Sequence, residues 1–460
     1  MNALVTPASY IDTGVSRFKD NPFIEALPAL ESSKNEFLLN ISYYPPRPTT
    51  ATRKKGEIVR AMELATLNDL VYPFPEYQKA AMAIATIWRE SYVARNPMDV
   101  VDRQRRSALS AGGAVQLPPN WKSSGKGHLV IAISGAGKTT LIHRYLLRYP
   151  QVIAHDGYKG NHLKCHQVTY LVLRVPHDAT LKGLCLQFFQ KIDALLSTSY
   201  LRQALSLRNI APMVQLMNQV ATAVSLGLLV IDEVQSLKNA TGENAEVVLN
   251  LFSEIIEHLG ISLVCVATPA VQMVANGSVG NVRKIASHGV TNLKPMDRDD
   301  PGWNEFCSAY WDYTYVQNKG KLTKTIMNAW HDVSAGNTAF AALAFSLAQR
   351  NEIGGREIID EVAFQRVAAV DMSFLQPAIR ALLSKDPAKL AAFDDLLFLP
   401  EYIALRQAQG ISAPASEPAT AEEFAEMAPA PKKPKANRKK AAALPGAQVD
   451  LGPMENPLEL

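Results

Sequence analysis

The stretch Ser134-Gly135-Ala136-Gly137-Lys138-Thr139-Thr140 constrains this chain more than any other. It follows an apolar run, Leu129 to Ile133, and opens onto a helix-like segment, Thr139 to Tyr149. Strand, glycine-rich turn and helix in that order form the geometry of a phosphate-binding loop. The backbone N–H groups of such a turn face one anion, and the helix N-terminus adds partial positive charge. Lys138 is placed to reach the β- and γ-phosphates of ATP, and Thr139 to put its hydroxyl on Mg²⁺. Ala132 stands where the first glycine is usual, and its side chain is small enough for the end of a strand.

A second element, about ninety residues on, completes the pattern. Leu228-Leu229-Val230-Ile231-Asp232-Glu233 is a buried-strand run that ends in two carboxylates. Asp232 suits water-mediated binding of Mg²⁺, so Thr139 and Asp232 are the metal candidates. Glu233 suits polarising the attacking water. Together the two elements predict nucleotide binding and Mg²⁺-dependent hydrolysis. A third run, Val264 to Ala267, ends in Thr268, a residue placed to hold the attacking water or to sense the γ-phosphate. Arg283 and Lys284 follow a glycine-containing loop, Gly277 to Gly280. A cation there is placed to enter a neighbouring subunit's site as an arginine finger.

The chain has 460 residues, which implies two or three domains, and its 47% hydrophobic and 20% charged content is globular. A net charge of +4 permits contact with nucleic acid without demanding it. Cys165, Cys185, Cys265 and Cys307 have no paired spacing and read as reduced thiols of a cytoplasmic protein. There is no signal-peptide pattern and no uncharged apolar run long enough to span a membrane.

Residues 1–120 form an N-terminal extension, proline-rich to about residue 70, with a helix from Glu76 to Tyr92 that carries Tyr77, Ala81, Ile84, Ile87 and Trp88 on one face. Residues 99–120 read as a basic linker. From 121 to 294 strand and helix alternate, which implies a parallel sheet. Its strands are predicted at Leu129–Ile133, Val168–Arg174, Leu228–Ile231 and Ser262–Ala267, and its helices at Leu181–Leu196 and Asn244–Leu259. Lys138, Asp232 and Thr268 then fall at the carboxyl ends of strands, where ligands bind in such sheets. His155, His162, Cys165 and His166 lack a second ligand pair, so the segment reads as a loop and not a zinc site. From 295 to 408 the pattern is all helix. Its stripe of Trp303, Phe306, Tyr310 and Tyr313 reads as a core seam, with a base-stacking platform as the other possibility. Residues 409–460 form a flexible tail whose stretch Pro431 to Lys440 carries six cations and no acid, and which docks on DNA or a partner or is simply solvated.

These residues resemble the TnsC/TniB family of AAA+ regulators of DNA transposition, in particular its longer TnsC branch. The likeness rests on NPFIEALP at 21–28, YVARNP at 92–97, SGAGKTT at 134–140, VPHDATLKGLCLQFFQKID at 175–193 and LGLLVIDEVQSL at 226–237. A tryptophan-rich helix at 303–311, SAGN at 334–337 and AQR at 348–350 add to it. The resemblance implies an α/β AAA+ P-loop NTPase core with a helical lid. It implies an ATPase that forms rings or filaments on duplex DNA, is recruited by a TniQ/TnsD-type target selector, and licenses a TnsA/TnsB-type transposase. The N-terminal extension would face the selector and the C-terminal region the transposase. By position, Lys138 and Thr139 hold phosphate and Mg²⁺, Asp232 and Glu233 complete the site, Thr268 looks like the first sensor, and Arg283 lies where a trans arginine is expected.

Lys182 and then Arg208 are the first choices for contact with the DNA backbone, and either could equally be a surface charge. The sequence departs from the family after the lid's glycine. Gly336 is followed by Asn337, Thr338, Ala339 and Phe340, with no cation before Arg350, so coupling between nucleotide state and lid is either weaker or uses another residue. Two other readings share the nucleotide motifs, a helicase loader of the same superfamily and a nucleotide-dependent scaffold that does not hydrolyse.

Overall fold

The computed structural model describes residues 5–111, 116–240, 244–271, 279–390 and 392–393, all within one structural unit. Its centre is a five-stranded sheet of β2 (Gly127–Ala132), β5 (Tyr170–Arg174), β6 (Leu228–Asp232), β7 (Ser262–Ala267) and β8 (Val290–Leu293). The order is β5-β6-β7-β2-β8, and every pairing is parallel. Helices cover both faces, so β2 and β7 are buried along their whole length. This is why their sequences read as unbroken apolar runs and not as alternating ones. Pairing of Ile131 with Ala267 and of Ile231 with Cys265 brings the carboxyl ends of β2, β7 and β6 nearly level. Because β7 lies between the other two, Thr268 sits between the phosphate loop and Asp232.

The predicted helices are present at Leu181–Leu196, Asn244–Glu257 and Pro75–Val93. The last buries Tyr77, Ala81, Ile84, Ile87 and Trp88, the face that the periodicity marks. Two expectations need correction. The segment 99–120 is not all linker, since Val100–Ala111 is a helix in which the buried Asp102 pairs with Arg105 at 2.8 Å and Arg106 at 2.6 Å. Acid and base at i,i+3 and i,i+4 share a helix face, and here they neutralise charges that would otherwise be buried alone. The region around His155 to His166 is not a loop but a hairpin, β3 (Val152–Tyr158) and β4 (Asn161–Val168), joined to β1 (Val5–Pro7) in a second sheet. His155 lies between Tyr10 and Gln167, each at 2.9 Å, and no group of metal-ligating side chains occurs among the described residues.

The lid is helical: Pro301–Trp311, Lys324–Asp332, Thr338–Glu352, Glu361–Ala369 and Gln376–Ser384. Trp303 stacks on Phe306, and Trp330 stacks between Phe345 and Phe364. Trp303, Phe306, Tyr310 and Tyr313 are all buried, so the aromatic stripe is a core seam.

The N-terminal extension is tied to both core and lid. NPFIEALP makes a one-turn helix, Pro22–Glu25, that Asn21 caps. Asn21 also donates to the Tyr92 carbonyl at 2.7 Å, while Arg89 donates to the Pro28 carbonyl at 2.8 Å. The motifs at 21–28 and 92–97 are therefore neighbouring parts of one packed unit. Further along, Arg144 of the core donates to the carbonyls of Ile41 and Ser42. Towards the lid, Tyr313 donates to the Pro45 carbonyl, and Arg60 makes a two-bond fork with Glu357. Arg60 is 1% exposed, and the fork pulls the Glu357 carboxyl down to about 2. The predicted C-terminal tail, 409–460, lies outside the described residues. All four cysteines are free, and no described helix is long and apolar enough to cross a membrane.

Candidate nucleotide site

β2 ends at Ala132, and the chain turns through Ile133 to Gly137 before the helix Lys138–Leu146 begins. Two glycines in the turn have left-handed backbones, Gly135 at φ +81° and Gly137 at φ +82°. Neither position has room for a side chain. A Cβ on Gly137 would lie 1.9 Å from the Tyr77 hydroxyl, and one on Gly135 would lie 2.6 Å from Asn337 Oδ1. The loop therefore requires glycine at both positions for backbone conformation and for close approach. Ala132 is buried at the strand end, where its methyl group is accommodated. The other residues predicted to bind nucleotide lie on the same turn and at the start of the same helix. Ser134, Thr139 and Thr140 are exposed, Ala136 is buried, and Lys138 is buried at the first position of the helix.

Thr139 and Asp232 meet across the site. The Thr139 hydroxyl donates to Asp232 Oδ2 at 3.5 Å. Burial pushes the Asp232 carboxyl above its ordinary range; the hydrogen bond from the Glu233 N–H opposes this, the Glu233 charge adds to it, and Lys138 and Arg174 oppose it. Lys138 thus lies close enough to act on Asp232 electrostatically. A hydroxyl and a carboxylate are hard oxygen donors of the kind Mg²⁺ takes, so Thr139 and Asp232 fit that ion.

Glu233 stands at φ +59°, unusual for a residue with a side chain. Its N–H donates to Asp232 Oδ1 at 2.9 Å, which helps to hold the turn. Two neighbours grip its carboxylate, the Gln235 amide and, at 3.7 Å, the guanidinium of the exposed Arg174 at the end of β5. Gln235 also accepts from the Thr268 N–H at 3.0 Å, so one buried side chain joins the Glu233 carboxylate to the Thr268 backbone. The Thr268 hydroxyl is buried and has no partner among the described residues. A buried hydroxyl without a partner is costly in an inert fold and is well suited to a site that receives water or phosphate.

The cleft beside the loop has a volume of about 450 Å³, enough for a nucleoside. Leu70, Tyr72 and Phe74 of the extension form one wall, Gly137 and Lys138 the floor, and Phe306 and Tyr310 of the lid the other wall. Two residues of the aromatic core seam thus also face the cleft.

The remaining predicted residues are not brought into this cluster. Lys182 is exposed at the start of the helix Leu181–Leu196, which Thr180 caps, and Arg208 is exposed in the turn before Ile210. Arg283 is exposed on the helix Val279–Ile285 and makes no ion pair among the described residues, whereas Lys284 pairs with Glu257 at 2.8 Å. Part of the loop before it, including Gly277, lies outside the described residues. Sequence reasoning missed Gln235, Arg174, Asn337, Thr338 and the extension's part in the cleft. Gln235 had a signal, since a side chain two residues beyond Glu233 turns back towards it when Glu233 starts a tight helical turn.

The chain is similar to many solved structures, of which three serve as examples. The Walker-type ATPase PABY2304 of Pyrococcus abyssi is 14% identical, with a TM-score of 0.33 over 64% of this chain and 78% of that one. The ORC2 protein of Aeropyrum pernix, in ADPNP and ADP complexes, is 12% identical, with a TM-score of 0.36 over 60% and 68%. The RuvB Holliday junction branch migration motor of Thermotoga maritima is 12% identical, with a TM-score of 0.32 over 68% and 93%. No curated protein matches the chain. Residues 123–274 match the family model described as AAA domain, and that segment carries the phosphate loop, Asp232, Glu233 and Thr268 on a parallel-stranded AAA+ P-loop fold.

Proposed function

We propose that this protein is an ATP-dependent, DNA-binding AAA+ regulator of transposition that assembles on target DNA and links a target-selecting protein to a transposase. The observation that carries the ATPase part is the triangle of Glu233, Gln235 and Thr268 beside the contact of Thr139 with Asp232. A site that only stored nucleotide would have no use for a carboxylate oriented in this way. Glu233 draws a proton from the attacking water, and the Thr268 hydroxyl is the group available to hold that water or the departing phosphate. Lys138 and the loop amides carry the phosphate charge. Mg²⁺, when bound, neutralises charge on the β- and γ-oxygens.

The transposition part rests on the resemblance of the flanking stretches to the TnsC/TniB family. ATP binding assembles the protein on duplex DNA as a ring or filament, and hydrolysis resets it. Arg283 completes a neighbouring subunit's site, and its exposed side chain, without an ion pair among the described residues, is suited to that. Lys182 and Arg208 contact DNA phosphates, which gives affinity that depends on salt and not on sequence. The N-terminal extension receives the TniQ/TnsD-type selector, and the C-terminal tail the TnsA/TnsB-type transposase.

The test is electron microscopy of the purified protein with duplex DNA and a non-hydrolysable ATP analogue. Ordered rings or filaments that need both DNA and nucleotide are expected. A protein that binds the analogue but never DNA, at low salt included, would contradict the reading.

A further inference from the structure

Resting on the reading of the cleft as a nucleotide site, we infer that Asn337 and Thr338 of the lid are positioning residues that set the phosphate loop through its carbonyl groups. They couple the lid to the nucleotide in place of a charged sensor. The lid helix Thr338–Glu352 begins directly over the loop. Asn337 Nδ2 donates to the Ser134 carbonyl at 2.8 Å, and Thr338 Oγ1 to the Gly135 carbonyl at 2.7 Å. The Ala339 N–H donates to the same Gly135 carbonyl at 3.0 Å. From the other side, Tyr77 of the extension donates to the Gly137 carbonyl at 3.3 Å.

A trans peptide is planar, so its N–H points opposite to its C=O. Fixing the Ser134 carbonyl towards the lid turns the Gly135 N–H away from it, and the Gly137 carbonyl, held along the helix by the Leu141 N–H at 2.9 Å and supported by Tyr77, leaves the Lys138 N–H pointing the opposite way. The third peptide closes the turn, with the Ala136 N–H on the Ile133 carbonyl at 3.2 Å. Lid and extension thus hold the loop in the amide orientation that a phosphate needs.

The latch is built closely. Asn337 is fully buried, and its Oδ1 caps the lid helix by accepting from the N–H groups of Ala339 and Phe340. Its amide therefore serves the helix with one end and the loop with the other. An arginine sensor reads the γ-phosphate directly, through charge. This latch is neutral and reads the loop's peptide planes, so it acts on any nucleotide that fills the loop with phosphate.

The experiment compares Thr338→Val, which keeps the branched shape but removes the donor, with Thr338→Ser, which restores it. Affinities of the full chain for ATP, ADP and adenosine are measured, together with the thermal midpoint without nucleotide. Loss of one such hydrogen bond should weaken ATP and ADP binding by about three- to tenfold in Thr338→Val. Adenosine binding should be unchanged, the midpoint of Thr338→Val should fall by no more than the few degrees one hydrogen bond is worth, and Thr338→Ser should bind as the unaltered protein does. Equal loss for adenosine would make Thr338 a wall of the cleft and overturn the latch. So would unaltered ATP affinity in Thr338→Val. If the unaltered protein bound no ATP at all, the reading of the site itself would fail, which is a separate result.

Discussion

Glu233→Gln should lower ATP turnover by about 10²- to 10⁴-fold, the range for loss of a positioned general base, while ATP affinity changes little. The amide keeps the size of the carboxylate, so the turn at φ +59° and the backbone hydrogen bond to Asp232 should survive. What is lost is the ability to accept a proton from water. On DNA, the variant should remain assembled with ATP long after the unaltered protein has released. Single-turnover hydrolysis and the lifetime of the DNA-bound assembly measure the two effects. Turnover and lifetime equal to those of the unaltered protein would assign the chain to the scaffold class.

Lys138→Ala should fail one step earlier. Lys138 is buried at the floor of the cleft, and any phosphate seated there would lose its main cationic partner. Truncating one member of a buried, hydrogen-bonded charge pair costs about 2–5 kcal/mol, or roughly 30- to 4,000-fold in affinity. Titration with Mg–ATP should show that loss, and assembly on DNA should fall with it. The two variants separate the roles, since Glu233→Gln binds and does not turn over, and Lys138→Ala does not bind. Affinity unchanged in Lys138→Ala would mean that ATP, if bound, is held elsewhere.

Much of this site was legible in the sequence because its chemistry is local. A buried parallel strand needs an apolar run, the loop needs glycine where φ is positive, and the carboxylates follow directly on β6. Those signals are contiguous, so Lys138, Thr139, Asp232, Glu233 and Thr268 could be placed without knowing the fold. The hairpin of β3 and β4 was harder. Its turn is Lys159-Gly160, both at positive φ, where asparagine or aspartate is usual before the glycine. Its exposed His162 and His166 drew attention to metal chemistry instead of strand alternation. The helix Val100–Ala111 was hidden by its arginines, which read as a solvated run until Asp102 is seen to neutralise two of them.

The contacts of Asn337, Thr338 and Tyr77 with the loop could not be read at all. They join residues about 60 and 200 positions apart through backbone carbonyls, which carry no sequence signature. The lack of a cation between Gly336 and Arg350 was visible, and what occupies that place was not.

The central claim is that Lys138, Thr139 and Asp232 serve one magnesium nucleotide. A crystal structure of the protein with Mg²⁺ and a non-hydrolysable ATP analogue tests it most directly. The triphosphate should lie wrapped by residues 134–140, with the metal about 2.1 Å from the Thr139 hydroxyl and Asp232 in its hydration shell. A nucleotide bound away from the loop, or a metal that neither Thr139 nor Asp232 approaches, would contradict it.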